Sequence, residues 1–260
     1  AVTVFAQPTK PTQVCTVTGG GSGTVLGANV TTVAINCVTS TYTIGGTITG
    51  LTGTGLVLQN NLGNNLPVAA NATTFTFSTA IASASAYSVT VLTQPATPTQ
   101  TCTVTSGGSG TVVAANVTTV AVACVTSSFT IGGTITGLAG TGLKLRNNNN
   151  ALDEITVSGT GTVPFVFTTP VASGAAYAVT VFAQPATPTQ TCTVTAGSGT
   201  VAGANITVAV ACITLAPAPT VSFNVKRLQF TWLAVAGTNH YRLLENADGV
   251  SGYLPVVDNI

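Results

Sequence analysis

The chain is 260 residues long and only 4% of them are charged: six Lys or Arg and five Asp or Glu, beside one His. Soluble domains carry roughly a quarter charged residues. The clustered cations of nucleic-acid binding and the proton-transferring side chains of most enzymes are therefore scarce, and neither a nucleic-acid partner nor an enzymatic activity is expected. With 45% hydrophobic residues and a mean hydropathy of +0.54, the chain is too apolar to be disordered by charge repulsion. Gly or Pro nevertheless interrupts every apolar run, and none reaches the ~18 residues of a membrane-spanning helix. A transmembrane barrel would need aromatic girdles, and aromatics make up only 6%.

In chain order, Ala1-Val2-Thr3-Val4-Phe5 reads as a strand and lacks the basic segment that opens a signal peptide. No Met occurs, and the chain is expected to be a processed or incomplete piece of a longer protein. Gln7-Pro8 comes next, then Thr12-Gln13-Val14-Cys15-Thr16-Val17-Thr18, the loop Gly19-Gly20-Gly21-Ser22-Gly23, Ala28-Asn29-Val30-Thr31 and Cys37. The same succession returns with Gln94-Pro95, Cys102, Ala115-Asn116-Val117-Thr118 and Cys124, and again with Gln184-Pro185, Cys192, Ala204-Asn205-Ile206-Thr207 and Cys212. Cys102 follows Cys15 by 87 positions, and Cys192 follows Cys102 by 90. A period this long suits a string of small domains, not a solenoid coil. The expected division is 1–38, the C-terminal part of a preceding repeat; 39–125 and 126–214, two complete β-sandwich repeats; and 215–260, a different module. The chain is thus expected to open in mid-domain.

Within each repeat apolar residues alternate with Thr, the mark of half-buried strands. Tyr42, Ile44, Gly46 and Ile48 do so first, then Phe75 and Phe77, then Tyr87, Val89 and Val91. Thr43-Ile44-Gly45-Gly46-Thr47-Ile48-Thr49-Gly50-Leu51 recurs unchanged as Thr130 through Leu138. Val57 and Gln59 correspond to Lys144 and Arg146, whereas Leu56 and Leu58 correspond to Leu143 and Leu145. Charge belongs where it reaches water, so the leucines are expected to face inward. About seven short strands per repeat, with Gly and Asn turns between them, predict an all-β chain of tandem Ig-like or prealbumin-like β-sandwich domains, each with one disulfide.

Six cysteines admit a zinc site or disulfides. Zinc ligands come in short Cys-x-x-Cys knuckles or with His. Here no two cysteines lie closer than 20 positions, and the single His stands outside the repeats. The spacing favours the disulfides Cys15–Cys37, Cys102–Cys124 and Cys192–Cys212, with no metal and no cofactor. Cys102 shares strand parity with Val104, and Cys124 with Val122 and Val120, so the sulfurs are expected on the core side. Persistent disulfides imply an oxidising compartment, and an extracellular or cell-surface location is expected.

The run Ile44-Gly45-Gly46-Thr47-Ile48-Thr49-Gly50-Leu51, Gly55-Leu56-Val57-Leu58, Phe75-Thr76-Phe77 and Ala86-Tyr87-Ser88-Val89-Thr90-Val91 resembles the carboxypeptidase-regulatory-like and Cna-B-like sandwich modules. That resemblance implies stalk repeats of bacterial surface proteins. Many Cna-B modules carry a Lys–Asn isopeptide bond assisted by a Glu. Here Val57 stands opposite Lys144 in the other copy and Glu154 has no acidic counterpart, so no isopeptide is expected; the cysteine pair takes over the cross-linking. The last 44 residues differ in kind. They hold Lys226, Arg227, Arg242, Glu245, Asp248 and Asp258, the only Trp and the only His. Phe230-Thr231-Trp232, Val235-Ala236-Gly237 and Tyr241-Arg242-Leu243 resemble the opening strands of a fibronectin type III module, in which Trp232 and Tyr241 would be core residues.

Other candidate sites have plainer readings. His240 with Glu245 and Asp248 has the residue types of a catalytic cluster, but a strand-end His is more often structural. Asn147 to Asn150 with Asp153 and Glu154 offers oxygen ligands for Ca²⁺. The other copy, Asn60-Asn61-Leu62-Gly63-Asn64-Asn65, has no carboxylate, and a polar turn is expected. Asn29, Asn71, Asn116 and Asn205 begin Asn-x-Thr sequons and are candidate glycosylation sites; a turn asparagine is the simpler reading. The Gly-rich loops lack the helix and Lys of a phosphate cradle.

Three functions fit these features. The first is a structural one: the shaft of a bacterial surface fibre or filament, self-associating with identical subunits or neighbouring repeats and polymerising by strand completion. The second is an adhesin or glycan-binding segment, which needs an exposed aromatic platform that the core parity of the aromatics disfavours. The third is a spacer within a larger secreted enzyme.

Overall fold

The computed structural model describes residues 1–214 and, beyond them, the backbone of four strands, Thr220–Asn224, Arg227–Thr231, Arg242–Glu245 and Leu254–Asp258. Every regular element among the described residues is a β-strand, and no helix there is long and apolar enough to cross a membrane. The four outlying strands pair as two antiparallel hairpins. His240, Asp248, Trp232 and Tyr241 lie outside the described residues, and of Glu245 only the strand backbone is described.

The first repeat folds into two four-stranded sheets. One runs, in spatial order, Gln100–Ser106, Val117–Thr126, Ile44–Thr49 and Thr74–Thr76; the other runs Ser109–Thr111, Ala86–Thr93, Val57–Asn60 and Asn64–Pro67. A single core lies between them. Ile44, Ile48, Phe75, Val120 and Val122 come from the first sheet, Leu58, Tyr87 and Val89 from the second. Leu56 and Leu58 are buried, as are Leu143 and Leu145, while the residues alternating with them are half-exposed. Each such buried side chain contributes roughly 1.5–3 kcal/mol. Phe75 and Phe77 meet edge to face at 5.8 Å, and Phe165 and Phe167 do so at 6.0 Å.

The second repeat has the same strand order in both sheets: Gln190–Thr195, Ile206–Thr214, Ile131–Leu138 and Gly161–Val166, then Ser198–Thr200, Ala176–Ala183, Leu143–Asn147 and Glu154–Val157. Each repeat holds ten strands against the expected seven: eight in these sheets and two in a short antiparallel pair, Thr41–Tyr42 with Ile81–Ala82 in the first repeat and Ser128–Phe129 with Val171–Ala172 in the second. The additional ones, such as Ser109–Thr111 and Asn64–Pro67, are polar and mostly exposed, so they carry no hydrophobic period. Residues 1–39 contribute one two-stranded sheet, Gln13–Gly19 with Ala34–Thr39.

By its contacts the chain divides into two compact units, and the division does not follow the repeat boundary. One comprises Ala1–Phe129, Pro170–Ala176 and Thr200–Asn205; the other comprises Thr130–Thr169, Tyr177–Gly199 and Ile206–Ile260.

Most strand pairs are antiparallel, but Ile44–Thr49 lies parallel to Val117–Thr126, and Ile131–Leu138 lies parallel to Ile206–Thr214. Here the Gly-Gly pair becomes a steric requirement. A Cβ at Gly46 would fall 1.8 Å from the Val120 carbonyl oxygen, and one at Gly133 would fall 1.7 Å from that of Val208. No side chain fits, and the obstacle is backbone, so it cannot rotate away.

Gly46→Ala is accordingly expected to destabilise the first repeat by about 3 kcal/mol, as for forced overpacking. Gly63→Ala, whose Cβ would meet nothing nearer than 3.9 Å, should stay within about 0.5 kcal/mol. Urea denaturation of the two variants measures the difference; equal midpoints would refute the steric account.

Candidate functional site: the cysteine staple and the joint beside it

The three disulfides, Cys15–Cys37, Cys102–Cys124 and Cys192–Cys212, each join residues directly opposite on neighbouring antiparallel strands. Their Cα atoms are 4.0 Å apart, as in the closer, non-hydrogen-bonded kind of cross-strand pair. The bond therefore staples one hairpin within one sheet. Cys102 and Cys124 are buried in the first core; Cys192 and Cys212 are also buried, and so is Cys15, but Cys37 is exposed.

In such a pair the backbone N–H and C=O of each cysteine point away from its partner strand. Gln100–Ser106 is an edge strand, so Cys102 would be left with an open donor and acceptor. The Gln94 side chain fills both needs: its Oε1 accepts from Cys102 N–H (2.7 Å) and its Nε2 donates to Cys102 C=O (3.0 Å). Gln7 does the same for Cys15, at 2.7 and 3.0 Å, and Gln184 for Cys192, at 2.8 and 3.1 Å. One amide thus stands in for a missing strand at the staple.

A second glutamine, two residues before the cysteine, faces the interior. Gln100 is buried, yet its Oε1 accepts from Thr52 N–H (2.9 Å) and Gly53 N–H (2.7 Å), and its Nε2 donates to Gly50 C=O (2.8 Å) and Thr126 Oγ1 (3.1 Å). Gln190 repeats the set with Ala139, Gly140, Gly137 and Thr214. All the hydrogen-bonding capacity of the amide is used, which makes burial of so polar a group tolerable. Sequence reasoning missed both glutamines. The available signal was their constant offset from cysteine, eight and two positions, in all three copies.

The segment between the two glutamines forms a joint, all of it inside the first compact unit. Thr99 N–H donates to Ser173 Oγ (2.9 Å), Thr99 Oγ1 donates to the Ala202 carbonyl (3.0 Å), and the buried Ser173 hydroxyl donates to that same carbonyl. Ser127 N–H donates to Thr99 C=O at 3.0 Å. An equivalent clasp occurs earlier in the chain. Thr12 N–H donates to Ser83 Oγ (3.0 Å), Thr12 and Ser83 hydroxyls both donate to Val113 C=O, and Ser40 N–H donates to Thr12 C=O (2.9 Å). The Lys10–Pro11 and Thr97–Pro98 peptides beside the two clasps are both cis.

Of the five charged residues within positions 1–214, four, Lys144, Arg146, Asp153 and Glu154, fall in the second repeat. Glu154 accepts from Lys144 Nζ (2.8 Å) and Arg146 Nε (2.7 Å), and the Arg146 guanidinium lies 3.1 Å from the centre of the Phe182 ring. Lys144 first, then Arg146, hold the Glu154 carboxyl below its ordinary range through hydrogen bonds. Arg146 and Glu154 are directly opposite in register, and in the first repeat Gln59 faces Asn65 in the same way, with Gln59 Nε2 donating to Asn65 Oδ1 at 2.7 Å. A neutral amide pair and an ion pair thus occupy one position.

Asn147 and Asp153 close a turn on themselves: Asn147 Nδ2 donates to Asp153 Oδ2 (3.1 Å), Asn150 N–H to Asn147 C=O (3.0 Å), and Leu152 N–H to Asn150 Oδ1 (3.0 Å). Glu154 is turned to its cations. No group of three His, Cys, Asp or Glu suited to a metal occurs among the described residues. All four sequon asparagines are exposed. Asn116 Oδ1 accepts from Thr43 N–H (2.9 Å), and Asn71 sits in a turn at φ 61°.

No protein-family model matches the sequence, and no curated protein matches it. Among solved structures, the Bacillus anthracis TIE protein is similar over 71% of this chain, at 12% identity and a TM-score of 0.44. This chain spans 37% of that one.

Gln100→Leu keeps the volume but leaves the Thr52 and Gly53 N–H groups and the Gly50 carbonyl unpaired. A loss of about 3 kcal/mol is expected in chemical denaturation, against less than about 1 kcal/mol for Gln59→Ala at the half-exposed amide pair. The pH response follows from Glu154. Its carboxyl is depressed in the folded chain, so its stabilising contribution is complete above the unfolded value of about 4.5 and is lost as pH falls through the lower folded value. Melting temperatures of wild type and Glu154→Gln should converge below that window, and high salt should narrow their separation above it.

Proposed function

We propose that this chain is an extracellular structural protein: part of the shaft of a bacterial surface fibre, built from tandem Ig-like or prealbumin-like β-sandwich domains with one disulfide each. The observation that carries this reading is the duplicated clasp, in which Thr12 and Thr99 are held by Ser83 with Val113 and by Ser173 with Ala202. Flexible linkers make no such bonds. A joint remade with the same atom types at each repeat suits a chain whose task is to transmit position from one module to the next.

The disulfides suit an oxidising location outside the cytosol. A closed loop of 22 residues contributes roughly 3 kcal/mol in the chain-entropy model, a large share for a sandwich of this size. The resemblance to carboxypeptidase-regulatory-like and Cna-B-like stalk modules points the same way. The scarcity of charge leaves few side chains to repel a neighbouring sheet edge, which favours self-association through strand completion over any nucleic-acid or catalytic role.

Negative-stain electron microscopy of the purified chain at high concentration tests the proposal. Filaments or end-to-end oligomers are expected under oxidising conditions, with their loss and a lowered melting temperature after full reduction. Dispersed monomers throughout, with an unchanged melting temperature under reductant, would overturn it.

A further inference from the structure

The first long strand of each complete repeat lies beside its last. In the first repeat Ile44–Thr49 and Val117–Thr126 run in parallel, preceded only by the two-residue strand Thr41–Tyr42. Ile44 stands opposite Val117 and Thr49 opposite Ala123, so the chain enters at one end of the pair and leaves, at Thr126, beyond the other. The second repeat does the same, from Ile131 opposite Ile206 to Thr136 opposite Ala211, with its exit at Thr214.

This order decides how a pull along the chain is carried. Were the pair antiparallel, entry and exit would fall at one end, and the bonds would open one after another. In the parallel pair a pull drives the strands lengthwise past each other. The ladder bonds, evenly spaced in such a pair, then bear the load together. Further bonds tie both ends. Thr43 N–H donates to Asn116 Oδ1 and Val117 N–H donates to Thr43 C=O, each at 2.9 Å. Towards the exit, Thr49 Oγ1 donates to Val122 C=O at 3.4 Å, as Thr136 Oγ1 does to Val210 C=O. Ile44, Ile48, Val120 and Val122 are buried and shield one side of the ladder from water.

We infer that this parallel pair is a load-bearing clamp, and that the disulfide beside it is a stop limiting what the clamp releases. Cys102–Cys124 joins Val117–Thr126 to Gln100–Ser106, on the side away from Ile44–Thr49. It lies outside the ladder that parts first. Cys124 stands two positions before the exit at Thr126, and Cys212 two before Thr214. Once the strands have slid apart, the loop from Cys102 to Cys124 stays closed, and the hairpin remains as the template on which Ile44–Thr49 settles again. The purpose of the clamp rests on the shaft reading given above, since only a chain under tension uses one.

Single-molecule force spectroscopy on the full chain tests the clamp. Handles at positions 40 and 127 load the pair lengthwise; handles at 40 and 115 open it from one end. The lengthwise rupture force should exceed the other roughly twofold or more, because the bonds break together and not in turn. Reduction should leave the lengthwise force nearly unchanged. It should lengthen the released chain by about 75 Å, since the loop spans 22 residues at roughly 3.5 Å each. Equal forces in the two geometries, a lengthwise force that collapses on reduction, or an unchanged release would overturn the inference. Filaments without a directional difference overturn it and leave the fibre reading intact; a directional difference in a chain that forms no filaments upholds the clamp and removes the fibre.

Discussion

The contact between Ile44–Thr49 and Val117–Thr126 holds the first repeat together, because it joins the repeat's beginning to its end across a separation of 73 residues. Non-local pairing of this kind costs loop-closure entropy before it yields any burial. Two local devices offset that cost. The disulfide makes a preformed template of the hairpin, and Gly46 lets the arriving strand settle on Val120 without a side chain in the way. Ile44 and Ile48 then meet Val120 and Val122 in the core, and the second sheet closes over them.

Around this contact, neutral amides perform work that charges perform in most proteins. Gln94 satisfies the edge at the staple, Gln100 ties a turn to the hairpin, and Gln59 with Asn65 replaces the ion pair seen at Arg146 and Glu154. An amide both donates and accepts, so it can serve a backbone N–H and C=O at once, and burying it costs far less than burying an ion. The low charge content thus accords with how the fold satisfies its polar groups. The described surface is left with many Thr, Ser, Asn and Gly residues, together with exposed large apolar side chains such as Phe5, Leu26, Leu62 and Leu152.

Much of this was legible in the residues. Alternation placed Leu56 and Leu58 in the core, cysteine parity placed Cys102 and Cys124 there, and the unchanged nine-residue motif marked equivalent strands. Strands such as Ser109–Thr111 were not legible, since a short polar strand leaves no hydrophobic trace. The role of Gln94 was hidden for another reason: its recurrence was visible, but its partner is the backbone of Cys102, which has no side-chain signature.

The sequence by itself determined that the chain is a β repeat with paired cysteines, because periodicity and spacing are properties of neighbours along the chain. Only the tertiary structure decided that the disulfide lies within one sheet and that Gly46 is forced by a parallel partner. Each of these depends on which strand lies beside which. That is set by the closing of a two-sheet core across dozens of residues, and no local pattern encodes it.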